Sequence, residues 1–156
     1  MEDFFGAYKI PERVMLLEAP QDAFFHRVNL ISMAQEQILF TSYAINGGTT
    51  SDIIIGALLH AAERGVKVTV LHNAVGGAMP TRYINVLAAH DNIGVYRFNR
   101  FNLFAPQYGN AALHDKYMVV DNKYLIFGGR NIGDRYFAPT RLYMGKRIYL
   151  TVGLRQ

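Results

Sequence analysis

Between residues 22 and 98 the spacing of apolar residues changes back and forth, and this alternation limits the chain to few folds. DAFFHRVNLISMAQE (22–36) repeats every three to four residues, with Phe24, Val28 and Ile31 on one face and Asp22 at its start, and so predicts a helix. ILFTSYAI (38–45) predicts a buried strand, and NGGTT after it a loop. A second helix is expected from a Ser51 cap to Arg64, with Asp52, His60 and Glu63 on its polar side and Gly65 as its stop. VKVTVL (66–71) alternates as a strand, a third helix runs from Thr81 to His90 behind Pro80, and GVYRF (94–98) is the next strand. A β-α-β-α-β series of this kind builds a largely parallel sheet covered by helices.

Beyond residue 99 the rhythm breaks. RFNLFAPQYGNAA (100–112) reads as a long loop carrying Phe101, Phe104 and Tyr108. HDKYMVVD (114–121) and KYLIFGG (123–129) read as two strands joined at Asp121-Asn122-Lys123, an antiparallel hairpin signal. The expected fold class is therefore α/β: an α-β-α sandwich with a mixed, mostly parallel sheet. Its 156 residues suit a single domain over 1–156.

Composition removes several classes. With 51 % hydrophobic and 18 % charged residues the chain is neither disordered nor collagen-like. No apolar run approaches the roughly 20 residues of a membrane helix. The start, MEDFFGAYK, has no apolar signal core, so the expected location is the cytoplasm or the periphery of a membrane. The absence of cysteine excludes disulfides and thiolate metal sites. Charge is divided unevenly: residues 1–78 carry −3 and residues 79–156 carry +7. A basic half favours a phosphate-bearing partner, nucleic acid or an anionic lipid surface, although an ordinary basic surface has the same composition.

The chemistry concentrates in 114–131, HDKYMVVDNKYLIFGGRN. On a strand His114 and Lys116 share a face, and an imidazole beside an ammonium is a poor core pair. Both suit a phosphate, since lysine neutralises oxygen charge while imidazole can attack phosphorus. Gly128-Gly129 ends the second strand and permits close backbone approach to a ligand. Asn131 is expected at a helix N-terminus, where an anion is favoured. Asp121 lies on the other parity and reads as a structural turn or salt-bridge residue.

This segment resembles the HKD motif of the phospholipase D superfamily. The likeness extends over residues 20–137, with 138–156 an atypical tail. RVNLISMAQEQILFTSYAI through HAAERGVKVTVL resembles the opening half-domain, and LHDKYMVVDNKYLIFGGRNIGDRYF (113–137) resembles the first-motif region of bacterial cardiolipin synthase-like enzymes. Gly129, where short nuclease relatives usually carry serine, tilts the resemblance toward lipid enzymes. It implies a two-step displacement without metal or cofactor. In it His114 is the nucleophile, and Lys116 and Asn131 hold the non-bridging oxygens. A second histidine, from a second copy of the motif, protonates the leaving oxygen.

His26, His60, His72 and His90 lack a lysine two residues on, so the chain has one motif. The resemblance then implies either a homodimer with one site across its interface or half of a two-motif protein. The substrate is a phospholipid or another phosphodiester, with nucleic acid as the alternative. It also implies an acidic residue beyond Gly-Gly that hydrogen-bonds the nucleophile's other ring nitrogen. Asp134 is the last acid of the chain, and KRIYLTV (146–152) stands where lipid-enzyme relatives carry an Arg-Asp-x-Asp-like strand. A catalytically incomplete half-domain that binds phosphate or a partner chain is the third reading.

Other residues carry two readings each. His72, at the end of a parallel strand, is a structural histidine or a ligand-side one. His60 and His90 are solvent-facing or helix-end residues. Phe101, Phe104 and Tyr108 pin a loop or form an apolar lip for an acyl chain. Arg97, Arg100, Arg130 and Arg135 are solvated charges or extend phosphate binding. Gly76-Gly77 is a loop and not a P-loop, because no Gly-Lys-Ser/Thr follows.

Overall fold

A computed structural model describes residues 12–73, 79–98, 113–137 and 149–153. Its elements in chain order are β1 (Glu12–Leu16), α1 (Pro20–Met33), β2 (Gln37–Ser42), α2 (Thr49–Glu63), β3 (Lys67–Asn73), α3 (Thr81–Ala88) and β4 (Ile93–Phe98). There follow β5 (Tyr117–Val120), β6 (Tyr124–Phe127), α4 (Asp134–Phe137) and β7 (Tyr149–Gly153).

The five-stranded sheet has the order β4-β3-β2-β5-β6. β2, β3 and β4 are parallel, β5 is antiparallel to β2, and β6 is antiparallel to β5, so only β5 runs against the rest. This is the mixed, mostly parallel α/β sheet that the periodicity predicts. Register places the buried residues in rows: Phe40 pairs with Val70 and Met118, Ile38 with Val68 and Val120, and Met118 with Ile126. One face of the sheet thus presents a continuous apolar layer. Ile31 of α1, Ile54 and Leu58 of α2 and Leu87 of α3 join it in a single core.

Several boundaries move for physical reasons. Proline opens α1 two residues before Asp22, which falls in the first turn. α2 starts at Thr49, ahead of the expected Ser51 cap, and Ser51 is buried inside the helix. The capping role passes to Asp134, whose Oδ2 accepts Thr49 N–H at 3.2 Å and whose Oδ1 accepts Thr50 N–H at 2.8 Å. At Gly48 (φ +143°) a side chain would strike that carboxylate. Gly65 ends α2 with φ +94°, as its position in the sequence suggests. Asp121 and Asn122, at φ +52° and +54°, make the left-handed hairpin turn between β5 and β6.

Residues 12–16 and 149–153, for which periodicity predicts no element, form β1 and β7, which pair antiparallel from Glu12↔Gly153 to Leu16↔Tyr149. Arg100, Phe101, Phe104, Tyr108 and Gly76-Gly77 lie outside the described residues. No described helix is long and apolar enough to cross a membrane.

Candidate active site

The motif enters the sheet from the C-terminal ends of β2 and β3. Asn73, the last residue of β3, accepts the Leu113 N–H at 3.2 Å through its side-chain oxygen. Thr41 Oγ1 accepts Tyr117 N–H at 3.1 Å and sets β5 beside β2. Between these two anchors, His114, Asp115 and Lys116 precede β5 and do not lie within it, a correction to the expected strand starting at residue 114. The pair still converges. The His114 ring lies against Tyr43 with centroids 5.0 Å apart at 54°, and Lys116 Nζ is 5.4 Å from the same ring centre. Lys116 Nζ also donates to the His114 carbonyl.

Burial separates their roles. His114 is exposed, so its ring is open to a solute, whereas Lys116 is only 6 % exposed. A buried ammonium held on an aromatic face is a strong local source of positive potential. Tyr43 was not singled out from the sequence; its signal is its place directly after β2, where α/β sheets gather ligand-side residues.

The glycines divide likewise. Gly128 N–H donates to the Lys116 carbonyl at 3.1 Å and fixes the start of β5. A side chain at Gly129 would meet nothing within 4 Å among the described residues, so none of these requires a glycine there.

Asn131 lies three residues ahead of α4 and not at a helix N-terminus. It is buried, with Oδ1 accepting Ala44 N–H at 3.2 Å and Nδ2 donating to the Tyr136 hydroxyl at 3.0 Å. It therefore ties the segment after β6 to the segment after β2, where Ile45 and Ile132 form a parallel bridge. One Nδ2 hydrogen remains beyond these bonds.

Asp121 sits at the far end of the hairpin. Its carboxylate accepts the backbone N–H groups of Gln35, Glu36 and Gln37, each at 2.9 Å. Burial pushes this carboxyl up, but the three N–H groups, helped by Lys123, outweigh burial and hold it below the usual carboxylate range. Asp134 is likewise lowered, chiefly by the Thr50 backbone bond with further bonds from the Thr50 hydroxyl and Thr49 N–H. Both oxygens of Asp134 thus serve the N-terminus of α2.

The arginines are bound to the fold. Arg130 donates to the carbonyls of Leu17 (3.3 Å) and Glu18 (2.8 Å), and Arg135 to the Tyr136 hydroxyl at 2.8 Å. Arg97 is exposed at the register position of His72. His72 is 1 % exposed; its Nδ1–H donates to Asn73 O at 3.0 Å, and Nε2 is buried with no partner. Burial foremost lowers its pKa, and Arg97 adds to the effect. His60 and His90 are helix-end residues, bonded to Arg64 and to the Asn92 N–H respectively. Among the described residues no group of three or more His, Cys, Asp or Glu is placed to hold a metal ion.

Known proteins resemble this chain in sequence and in fold. The family model described as "Cardiolipin synthase, PLD-like domain" matches residues 28–142. An uncharacterized protein of Helicobacter pylori is 39 % identical over 134 residues, which cover 79 % of this chain and 27 % of that protein. Cardiolipin synthase C of Escherichia coli is 32 % identical over 130 residues, 78 % of this chain and 28 % of its own length. The chain spans about a quarter of the length of these curated relatives. Among solved structures, the phospholipase D family member Nuc from Salmonella typhimurium aligns with a TM-score of 0.69 at 19 % identity, covering 92 % of this chain and 84 % of that one.

Proposed function

Because the chain belongs to the cardiolipin synthase, phospholipase D-like domain family, we propose that it is a phosphodiester-cleaving domain that transfers or hydrolyses phosphatidyl groups through a phosphohistidine on His114. One observation carries the reading: an exposed imidazole and a buried ammonium meet on the Tyr43 ring, where β2 and β3 end.

The reaction follows from these groups. The His114 imidazole attacks phosphorus and the bond to the leaving oxygen breaks; that oxygen takes a proton from a second histidine. An acceptor alcohol or water then attacks phosphorus, gives its proton to the second histidine and releases His114. Lys116 and the remaining Nδ2 hydrogen of Asn131 neutralise the non-bridging oxygens as charge develops. These steps need neither metal nor cofactor. The second histidine comes from a second motif, supplied by a homodimer partner or by another half-domain.

A second reading is a homodimeric metal-independent nuclease with one motif per subunit, supported by the fold shared with Nuc. The engagement of Asp134 at α2 favours a third, an incomplete half-domain that binds phosphate. Paired assays with EDTA present decide among them. Release of phosphatidic acid or transfer of phosphatidyl groups from anionic vesicles, abolished in His114→Ala, supports the first. DNA degradation without lipid turnover reverses the order. No turnover of either, together with phosphate affinity weakened by Lys116→Ala, leaves the third. Light scattering over a concentration series shows whether two motifs meet in solution.

A further inference from the structure

A buried guanidinium with no counter-charge among the described residues stands behind the motif. Arg27 of α1 is 3 % exposed, and its side chain donates to the Ala23 carbonyl at 2.7 Å and lies 5.5 Å from the Phe137 ring centre. No described carboxylate forms an ion pair with it. Burial foremost, and the nearby charge of Arg130 after it, lower the Arg27 pKa to about 10.

Arg27 also lines a small cavity of about 10 Å³, room for one water-sized group, together with Lys116, Arg130, Thr41 and Tyr117. Among the described residues, three cationic ones from three separate parts of the chain border that space, and no acidic one does. Buried charge is retained in folded proteins when it is paired, and a lone buried cation is expensive. Arg130 and Tyr117 are half-buried, so the cavity has an accessible side.

We propose that this cavity is an oxyanion site, separate from the nucleophile, in which one oxygen of a phosphate or carboxylate enters between Arg27 and Arg130 while the rest of the group stays at the half-buried mouth. A planar guanidinium with five donors, only part of them used by Ala23, suits this ligand. Lys116 belongs to both places: its side chain borders the cavity, and its ammonium bonds the backbone of His114. An anion here therefore fixes the lysine of the motif from behind. The site does not depend on His114 acting as a nucleophile.

The test is thermal unfolding of the full chain in a low-salt buffer, titrated with inorganic phosphate, with acetate, and with chloride at matched ionic strength. Phosphate or acetate raises the wild-type Tm above the chloride control, by roughly 5–10 °C at a hundredfold excess over Kd. Protection by phosphate alone assigns a tetrahedral ligand, and protection by acetate a carboxylate. His114→Ala keeps the part of the increment that the arginine variants remove, which separates this site from the catalytic reading. Arg27→Met starts at a higher Tm than wild type without added anion, and loses the increment. Arg130→Gln, at a half-buried position, reduces the increment and carries the test where Arg27→Met does not fold. An equal increment in wild type and both arginine variants overturns the proposal. So does a wild-type increment no larger than that of chloride, or its loss in His114→Ala.

Discussion

Asp121 and Gln37 hold each other at both ends: the Gln37 N–H donates to Asp121 Oδ1 at 2.9 Å, and the Asp121 N–H donates to the Gln37 carbonyl at 2.9 Å. The pair locks the β5–β6 turn to the first residue of β2, so the hairpin that carries the motif is anchored at the end opposite His114.

Removing that anchor lowers stability. Asp121→Ala leaves the N–H groups of Gln35, Glu36 and Gln37 without their side-chain acceptor. The loss of charge-assisted bonds at a mostly buried site costs about 2 kcal/mol, which shifts Tm by roughly 4–8 °C for a chain of this size. Asp121→Asn, which keeps one acceptor oxygen, falls between Ala and wild type. Urea titration followed by circular dichroism measures both.

Acid weakens the fold through the same contacts. Asp121 and Asp134 both lie below the ordinary carboxylate range in the folded chain. A depressed folded value means that the stabilisation is fully present above the unfolded pKa, about 3.9, and is lost as pH falls through the folded value. Tm therefore declines on acidification below about pH 4, and the double variant Asp121→Asn/Asp134→Asn declines less steeply from a lower starting point. Equal slopes for the two proteins would remove these carboxylates as the cause.

The Tyr43 ring organises the site through its face and not its hydroxyl. Tyr43→Phe keeps the surface that His114 and Lys116 share. Tyr43→Ala removes it and lets both side chains drift, and misplacement near 1 Å costs on the order of 10²-fold in rate. For the phosphodiester cleavage proposed above, the expected result is near-wild-type kcat for Tyr43→Phe and a fall of roughly 10–100-fold for Tyr43→Ala. Parallel loss in both variants would shift the role to the hydroxyl.

Local patterns in the sequence carried the β-α-β-α-β series because each element buries one face, and one-sided burial leaves a period of two or 3.6. The Asp121-Asn122 turn was legible for a similar reason, since Asp and Asn are the residues that tolerate left-handed backbone. What stayed hidden depends on distant pairs. The capping of α2 by Asp134 joins residues 84 apart, and Ser51 offered a plausible local cap in its place. β1 and β7 pair across most of the chain without any turn signal between them. In the site, His114 and Lys116 were visible as a pair, but the burial of the lysine and its meeting with Tyr43 come from the register of β2 against β5. Asn131 read as an anion ligand because its type and position suit one; its bonds to Ala44 and Tyr136 arise only where two loops cross.

Arg64 shows the same dependence on distant contacts and gives a sharper test. It is the residue after α2, and its Nη2 reaches back to the end of α1, donating to the carbonyls of Ile31 (3.2 Å), Ser32 (3.0 Å) and Ala34 (3.3 Å). The Ile31 carbonyl also accepts the Ala34 N–H, while those of Ser32 and Ala34 are carbonyls that the end of a helix leaves without intrahelical partners. A second nitrogen, Nη1, is occupied by His60. A guanidinium can serve both groups at once because its donors form a fixed fork; a lysine ammonium is a single point and cannot. Arg64→Lys is therefore expected to lose nearly as much as Arg64→Ala, about 1–2 kcal/mol, although the charge is retained. Equilibrium unfolding of the two variants checks this. A lysine variant as stable as wild type would show that charge near the end of α1, and not the fork, is what stabilises the α1–α2 packing beneath the sheet.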